Sequence, residues 1–341
     1  MMDDRCLLVA EIGINHNGDM DLAEEMIRAA AKAGADAVKF QNYRTEDFLS
    51  DHTLTYTYKS RGAEITESQF KIFKRCELSE GDLARLKRCC DEVSVLFFST
   101  PTSAEGVDSL KALGVSWLKN GSDYLGHLPL IRHMARSGIP TILSTGMATE
   151  EEVAMAVQTF REAGGHELVL LACTSSYPTP LDCVNLRRIT TLAAKFGCLS
   201  GFSDHTAGWE AAVAAAGLGA CMVEKHFTTD RNLPGPDQWF SSTPEEFSEL
   251  VVRIRRTETM LGHGEIAPTR SELDAREQFR LSCVAKNDLP AGHVLSEQDI
   301  TFRRPATGLA PCDIHLLIGR ALVADVSGGE SLLSTHLKNP I

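Results

Sequence analysis

Leu7-Leu8-Val9-Ala10-Glu11-Ile12-Gly13, the stretch Met20–Ala33, and Asp36-Ala37-Val38-Lys39-Phe40-Gln41 are the first turn of a pattern that fills most of the chain. The two outer segments are short, almost continuously apolar and polar only near their ends. In the middle segment the apolar residues recur at helical spacing. Ala33-Gly34-Ala35 puts a glycine just past its last turn, where a helix commonly stops. Two apolar strands flanking an amphipathic helix predict a parallel pair, covered on both faces and joined by a right-handed crossover.

The same unit recurs to about residue 262. Candidate strands are Leu7–Gly13, Asp36–Gln41, Val93–Thr100, Trp117–Ser122, Pro140–Gly146, Glu167–Cys173, Cys198–Ser203 and Cys221–Phe227. Thr149 followed by Glu150, Glu151 and Glu152 supplies an N-cap and an acidic first turn. Eight repeats predict an α/β fold, a (β/α)8 TIM barrel over residues 1–262, with a doubly wound open sheet as the structural alternative. Thr45–Lys74 breaks the rhythm with a long polar stretch carrying Tyr56, Tyr58, Phe70 and Phe73, the character of a functional loop. Residues 263–279 read as a polar linker, and 280–341, with its short strands and turns, as a small, mostly β domain.

The chain has 341 residues and a formal net charge of −12, which argues against a nucleic-acid binder or a protein that sits on anionic membranes. There is no apolar run long enough for a membrane span, and Met1-Met2-Asp3-Asp4-Arg5 lacks the layout of a signal peptide. Ten cysteines are scattered without C-x-x-C spacing and read as reduced, mostly buried thiols, so a cytoplasmic location is expected.

In a barrel the active site lies at the C-terminal ends of the strands. There this sequence places Glu11, Lys39 and Gln41, Ser99 and Thr100, Lys119 and Ser122, Ser144 and Thr145, Thr174, Ser175 and Tyr177, Ser203, Asp204 and His205, and Glu224, Lys225, His226 and Thr228. One polar strand end is usually a solvated rim, but eight on otherwise apolar strands point to a site. Two lysines among serine and threonine hydroxyls suit a phosphate. His205 and His226 close neighbouring strands and suit a shared divalent metal, although a single histidine there is more often simply packed. Glu11 and Glu224 would then be buried carboxylates available for proton work.

The runs Ala10-Glu11-Ile12-Gly13-Ile14-Asn15-His16-Asn17-Gly18, Val38-Lys39-Phe40-Gln41, Ser144-Thr145-Gly146-Met147, Tyr177-Pro178-Thr179-Pro180, Ser203-Asp204-His205-Thr206, Glu224-Lys225-His226-Phe227-Thr228 and Arg231-Asn232-Leu233-Pro234-Gly235-Pro236-Asp237 resemble the N-acetylneuraminate (sialic acid) synthase family. Asp288-Leu289-Pro290-Ala291-Gly292 and Arg303-Arg304-Pro305-Ala306-Thr307-Gly308 resemble that family's C-terminal antifreeze-like (SAF) domain. The resemblance implies condensation of phosphoenolpyruvate with an open-chain N-acetylmannosamine-type sugar, with phosphate lost by C–O cleavage. It implies that Lys39, Thr100, Lys119, Ser122, Ser144, Ser175 and Ser203 hold phosphoenolpyruvate. His205 and His226 would hold Mn2+, or Mg2+ or Co2+, while Glu11 and Glu224 would manage protons or position the sugar. Gln41, Tyr124, Tyr177 and Asp237 would line the sugar pocket, and Arg304 would reach the partner's site in a domain-swapped homodimer. Lys119-Asn120-Gly121-Ser122-Asp123-Tyr124 departs from the family's usual run, with Tyr124 at the position that is commonly acidic. Ser175 stands where asparagine is common, and Ala306 where glycine is. Gly235-Pro236-Asp237 favours a sialic- or legionaminic-type product over a pseudaminic-type one.

Three alternatives remain at this stage. One is another phosphoenolpyruvate-condensing aldulosonate synthase. A second is an aldolase using Lys39, Lys119 or Lys225 as a Schiff-base amine. The third is a catalytically inactive, sugar-binding barrel.

Overall fold

A computed structural model describes residues 5–339. Ten strands lie in the first 262 residues: β1 (Leu7–Gly13), β2 (Ala37–Asn42), β3 (Thr55–Ser60), β4 (Ala63–Ser68), β5 (Leu96–Pro101), β6 (Leu118–Asn120), β7 (Thr141–Ser144), β8 (Leu168–Cys173), β9 (Leu199–Asp204) and β10 (Met222–His226). Eight of these close into a parallel barrel in the order β1-β10-β9-β8-β7-β6-β5-β2, while β3 and β4 pair as an antiparallel hairpin.

Side chains alternate across each barrel strand. Leu8, Ala10 and Ile12 face the helices and join the large core between the two layers. The inward set begins apolar, with Val9, Ala37, Phe98, Ile142, Val169, Leu171 and Met222 packed inside the barrel. Two residues further along the same strands the inward positions are Glu11, Lys39, Thr100, Ser144, Cys173 and Glu224. A dry plug therefore supports a polar layer at the C-terminal ends. Gly201 makes that plug possible on β9, because a Cβ there would stand 2.6 Å from the Met222 carbonyl oxygen.

Several expected boundaries move. The third barrel strand starts at Leu96, because helix Glu80–Glu92 continues to a cap at Val93 and the chain leaves it through Ser94 at φ 59°. The fourth is only Leu118–Asn120, and Ser122 lies in the 3-10 turn Ser122–Tyr124. Thr45–Lys74 is not irregular: it holds helix Thr45–Phe48, the β3–β4 hairpin and the start of helix Gln69–Arg75. Tyr43, Tyr58, Ile72 and Cys76 give this excursion a small apolar core with Ile14.

The chain divides into compact units after Gly262. The stretch read as a linker carries the 3-10 turn Arg270–Glu272 and helix Leu273–Phe279, which begin where the Thr269 backbone N–H and hydroxyl both donate to Glu272 at 2.7 Å. The rest of the second unit pairs β11 (Ser282–Ala285) antiparallel with β12 (Ile300–Arg303) around a core that includes Cys283, Leu295, Leu317 and Leu332.

Candidate active site

The polar layer opens into a cavity of about 610 Å3, a size that suits small-molecule ligands. Glu11, Lys39, Gln41, Thr100, Lys119, Ser122, Tyr124, Ser144, Ser175, Tyr177, Ser203, His205, Glu224, His226 and Asp237 all line it. Arg304 lies in the second unit, exposed, with its guanidinium 5.2 Å from the centre of the Phe279 ring.

Two buried ion pairs form the cavity floor. Lys39 Nζ lies 2.9 Å from Glu11 Oε1 and donates to Thr100 Oγ1 at 3.0 Å. Lys119 Nζ donates to both Glu224 oxygens at 2.9 Å, and the Ser203 hydroxyl donates to Glu224 Oε1 at 3.2 Å. The two carboxyls feel opposite fields. Burial and the nearby Glu224 charge raise the Glu11 pKa despite Lys39, and Glu11 Oε2 has no hydrogen-bond partner. Burial also opposes ionisation of Glu224, but Lys119 and Lys39 together hold it down to about 2. Burial pulls on Lys39 as well, yet Glu11 and Glu224 outweigh it and keep the ammonium charged. That is unfavourable for a Schiff-base amine.

Above Lys119 the wall is made of small donors. The Gly146 N–H donates to Ser122 Oγ at 3.0 Å. A Cβ on Gly146 would stand 2.5 Å from Ser175 Oγ and 2.7 Å from Ser122 Oγ. The Ser144 hydroxyl is buried without a partner. Glycine at 146 thus lets the Ser122 and Ser175 hydroxyls close in on its backbone, and this hydroxyl cluster shares the cavity with the Lys119 ammonium, the chemistry of an oxyanion cradle.

Across the cavity the His205 and His226 rings lie 5.5 Å apart. His205 Nδ1 is 2.9 Å from the Thr174 carbonyl oxygen, so in the neutral ring that nitrogen carries the proton and Nε2 keeps its lone pair. His226 Nδ1 is buried without a partner, and burial plus the positive charges of His205 and Lys39 hold its pKa well below the usual range, so the ring is neutral. Burial opposes protonation of His205, but its contacts with Cys173 and the Thr174 carbonyl, with the Glu224 charge, outweigh burial and raise its pKa, so a divalent cation seated on this pair of imidazoles would displace a proton from His205. Among the described residues no group of three His, Cys, Asp or Glu is placed to enclose such a cation. Tyr177 packs on both rings, with centroids 4.2 Å from His205 and 5.8 Å from His226. Asp237 Oδ2 is 3.9 Å from His226 Nδ1.

Sequence reading passed over several lining residues. Tyr43 precedes the Thr45–Lys74 excursion, while Tyr56, Gln69, Ile72 and Phe73 come from it, and its aromatic content was the available signal. Cys173, read as a buried hydrophobe, lines the cavity, with Sγ accepting from the Ser122 hydroxyl at 3.6 Å. Lys225 and Asp204, noted at strand ends, are buried but turn away from the cavity and pair with each other at 2.8 Å.

The profile of the NeuB family matches residues 26–266, and that of the SAF domain matches residues 282–338. The chain is 40% identical over 337 residues to the N,N'-diacetyllegionaminic acid synthase of Legionella pneumophila, covering 98% of this chain and 95% of that protein. It is 31% identical over 341 residues to the human N-acetylneuraminate-9-phosphate synthase, covering 98% and 93% respectively. Among solved structures, the N-acetylneuraminic acid synthetase of Leptospira borgpetersenii superposes with a TM-score of 0.71 at 35% identity, covering 80% of this chain and 90% of that one.

Proposed function

The chain belongs to the NeuB family, and from that membership we propose that it is a nonulosonic acid synthase joining phosphoenolpyruvate to the aldehyde of an open-chain N-acylated amino sugar of the N-acetylmannosamine kind. The observation that carries this reading is the convergence, in one cavity, of a serine hydroxyl cluster and two lysines with two neighbouring imidazoles and a protonatable Glu11.

Phosphoenolpyruvate needs a phosphate site and a carboxylate site. The hydroxyls of Ser122, Ser144 and Ser175 suit the first, and Lys39, Lys119, Thr100 and Ser203 complete the set. His205 and His226 would hold Mn2+, or Mg2+ or Co2+, which when bound supplies Lewis acidity toward the sugar aldehyde and orients water. The enol C3 attacks the aldehyde carbon, and the aldehyde oxygen takes up a proton. The oxygen of water adds at C2, and its proton leaves. The resulting tetrahedral C2 expels phosphate with its bridging oxygen, and the remaining hydroxyl proton passes to the departing phosphate, giving a 2-keto acid and inorganic phosphate. Glu11, whose pKa is raised, is the residue suited to carry a proton, whereas Glu224 remains ionised and orients Lys119. Gln41, Tyr124, Tyr177 and Asp237 occupy the rest of the cavity, where the sugar chain would lie.

The reading includes a domain-swapped homodimer in which Arg304 serves the site of a second copy, and a cytoplasmic setting. All ten cysteines being free supports the latter. Among the described residues no helix is long and apolar enough to cross a membrane.

The test is phosphate release from phosphoenolpyruvate with Mn2+ and a panel of sugars, the product identified by mass. N-Acetylmannosamine or a 2,4-diacetamido hexose should support turnover. The second of these is favoured by the similarity to the Legionella pneumophila relative. No release with any sugar would favour an inactive, sugar-binding barrel, and borohydride trapping of substrate on a lysine would favour a Schiff-base aldolase.

A further inference from the structure

Lys225 and Asp204 take no part in the chemistry described above, yet they form a fully buried ion pair directly behind it. Their side chains are 5% and 0% exposed, and neither lines the cavity. They are register partners on adjacent strands β10 and β9, each next in sequence to a histidine that faces the cavity. The contacts go beyond the pair. Lys225 Nζ donates to Asp204 Oδ2 and to the Thr206 carbonyl oxygen, both at 2.8 Å. Asp204 Oδ1 accepts from the Thr206 backbone N–H at 2.8 Å and from its hydroxyl at 2.7 Å. The main chain on both sides of His205 is thereby held by two opposite charges, one of them carried by the residue before His226.

From this geometry we infer that the Asp204–Lys225 pair is a positioning device that sets the relative placement of the His205 and His226 imidazoles for metal binding. The inference rests on the proposed two-histidine metal site. Strand alternation places Ser203, His205, Glu224 and His226 on the cavity side and Asp204 and Lys225 on the outer side. A buried pair in this place is not required for stability, because an apolar pair of similar volume commonly serves as well. What the pair adds is a fixed register and a fixed loop exit at the point where two ligands must meet within a fraction of an ångström.

The test uses the full chain and Mn2+ alone as the probe. Lys225→Met leaves Asp204 buried and unpaired and risks misfolding. The double variant Asp204→Asn/Lys225→Met removes both charges, keeps an Asn that can still accept from Thr206, and should fold. Free Mn2+ is titrated by its paramagnetic resonance signal, and the tautomer of each imidazole is read by NMR in the metal-free protein. The double variant is expected to bind Mn2+ about 10- to 100-fold more weakly, the range for outer-sphere partners of metal ligands. His205 should lose its single Nδ1–H tautomer, and at saturating Mn2+ the KM for phosphoenolpyruvate should stay within a factor of about two to three of the parent's. That last readout separates positioning from general damage, since a merely structural pair would shift KM and unfolding midpoint and leave Mn2+ affinity in step with them. A folded double variant with the parent's Mn2+ affinity and a single His205 tautomer overturns the inference. If the parent protein binds no Mn2+, the two-histidine site itself is wrong, and the positioning inference falls with it.

Discussion

Glu11 and Glu224 stand on adjacent strands and face one cavity, yet only one of them is suited to carry a proton. The difference lies in neighbours: Glu224 is gripped at both oxygens by Lys119, whereas Glu11 meets Lys39 at one oxygen and has the other free. Glu11→Gln should therefore lower kcat by about 100-fold or more and remove one limb of the pH–rate profile, with a smaller change in the KM for phosphoenolpyruvate. An unchanged pH profile in that variant would assign the proton elsewhere. Gly146→Ala puts a methyl group against the serine hydroxyl cluster, 2.5 Å from Ser175 Oγ. It should raise the KM for phosphoenolpyruvate at least about tenfold, the effect of losing roughly one to two charge-assisted contacts, and leave the sugar KM nearly unchanged.

His16 gives a prediction about stability. It is fully buried, its Nδ1 accepts from the Gly18 N–H, and burial lowers its pKa to about 4. The unfolded chain takes up this proton near pH 6.5, the folded one only near pH 4. Between those values the unfolded state binds more protons, so folding stability falls as pH drops through that window. The full loss is on the order of 3 kcal/mol, from roughly 1.4 kcal/mol per pKa unit. Denaturant unfolding of the parent and of His16→Gln from pH 7 to pH 4 checks this. The variant's curve should be flatter, and parallel curves would show that His16 is not the group responsible.

At the scale of elements, the barrel was readable because its two periodicities are physical necessities. Continuous apolar strands mean burial on both faces, and the polar residues near their ends fall at the mouth because the chain direction is shared. Alternation alone then sends Glu11, Lys39, Thr100, Ser144, Ser203 and Glu224 inward. The hairpin β3–β4 was not readable in the same way. Its strand Thr55–Ser60 is mostly exposed, and its hold on the barrel depends on distant contacts: Arg61 Nε donates to the Asn232 carbonyl oxygen at 3.0 Å, and Lys59 sits 5.4 Å from the centre of the Trp239 ring. The pairing of Asp204 with Lys225 was hidden for a related reason, because it needs the register between β9 and β10. Tyr56 and Gln69 bring this excursion to the cavity. Replacing Tyr56 by Ala should raise the sugar KM about 3- to 30-fold, as for loss of one aromatic contact, and spare that for phosphoenolpyruvate. Equal changes in both constants would remove the hairpin from sugar recognition.

For the whole molecule, the division into two compact units leaves Arg304 outside the barrel unit, whose central cavity the other fifteen expected site residues share. Sequence motifs named Arg304, but what it touches in a dimer depends on a second chain, which no local pattern encodes. If a second copy supplies it, Arg304→Ala and His226→Ala should each be nearly inactive alone and recover turnover when co-expressed or refolded together, since a mixed dimer rebuilds one complete site. No recovery in verified mixed dimers would place Arg304 outside the site of a second copy.

The central claim is that this cavity condenses phosphoenolpyruvate with an amino sugar by breaking the C–O bond of the enol phosphate. It is tested most directly by turnover of phosphoenolpyruvate labelled with 18O at the bridging enol oxygen, with Mn2+ and the best sugar of the panel. The account predicts that the label leaves in inorganic phosphate and that the 2-keto acid carries an oxygen from water. Label retained at C2 of the product, with unlabelled phosphate released, would contradict it.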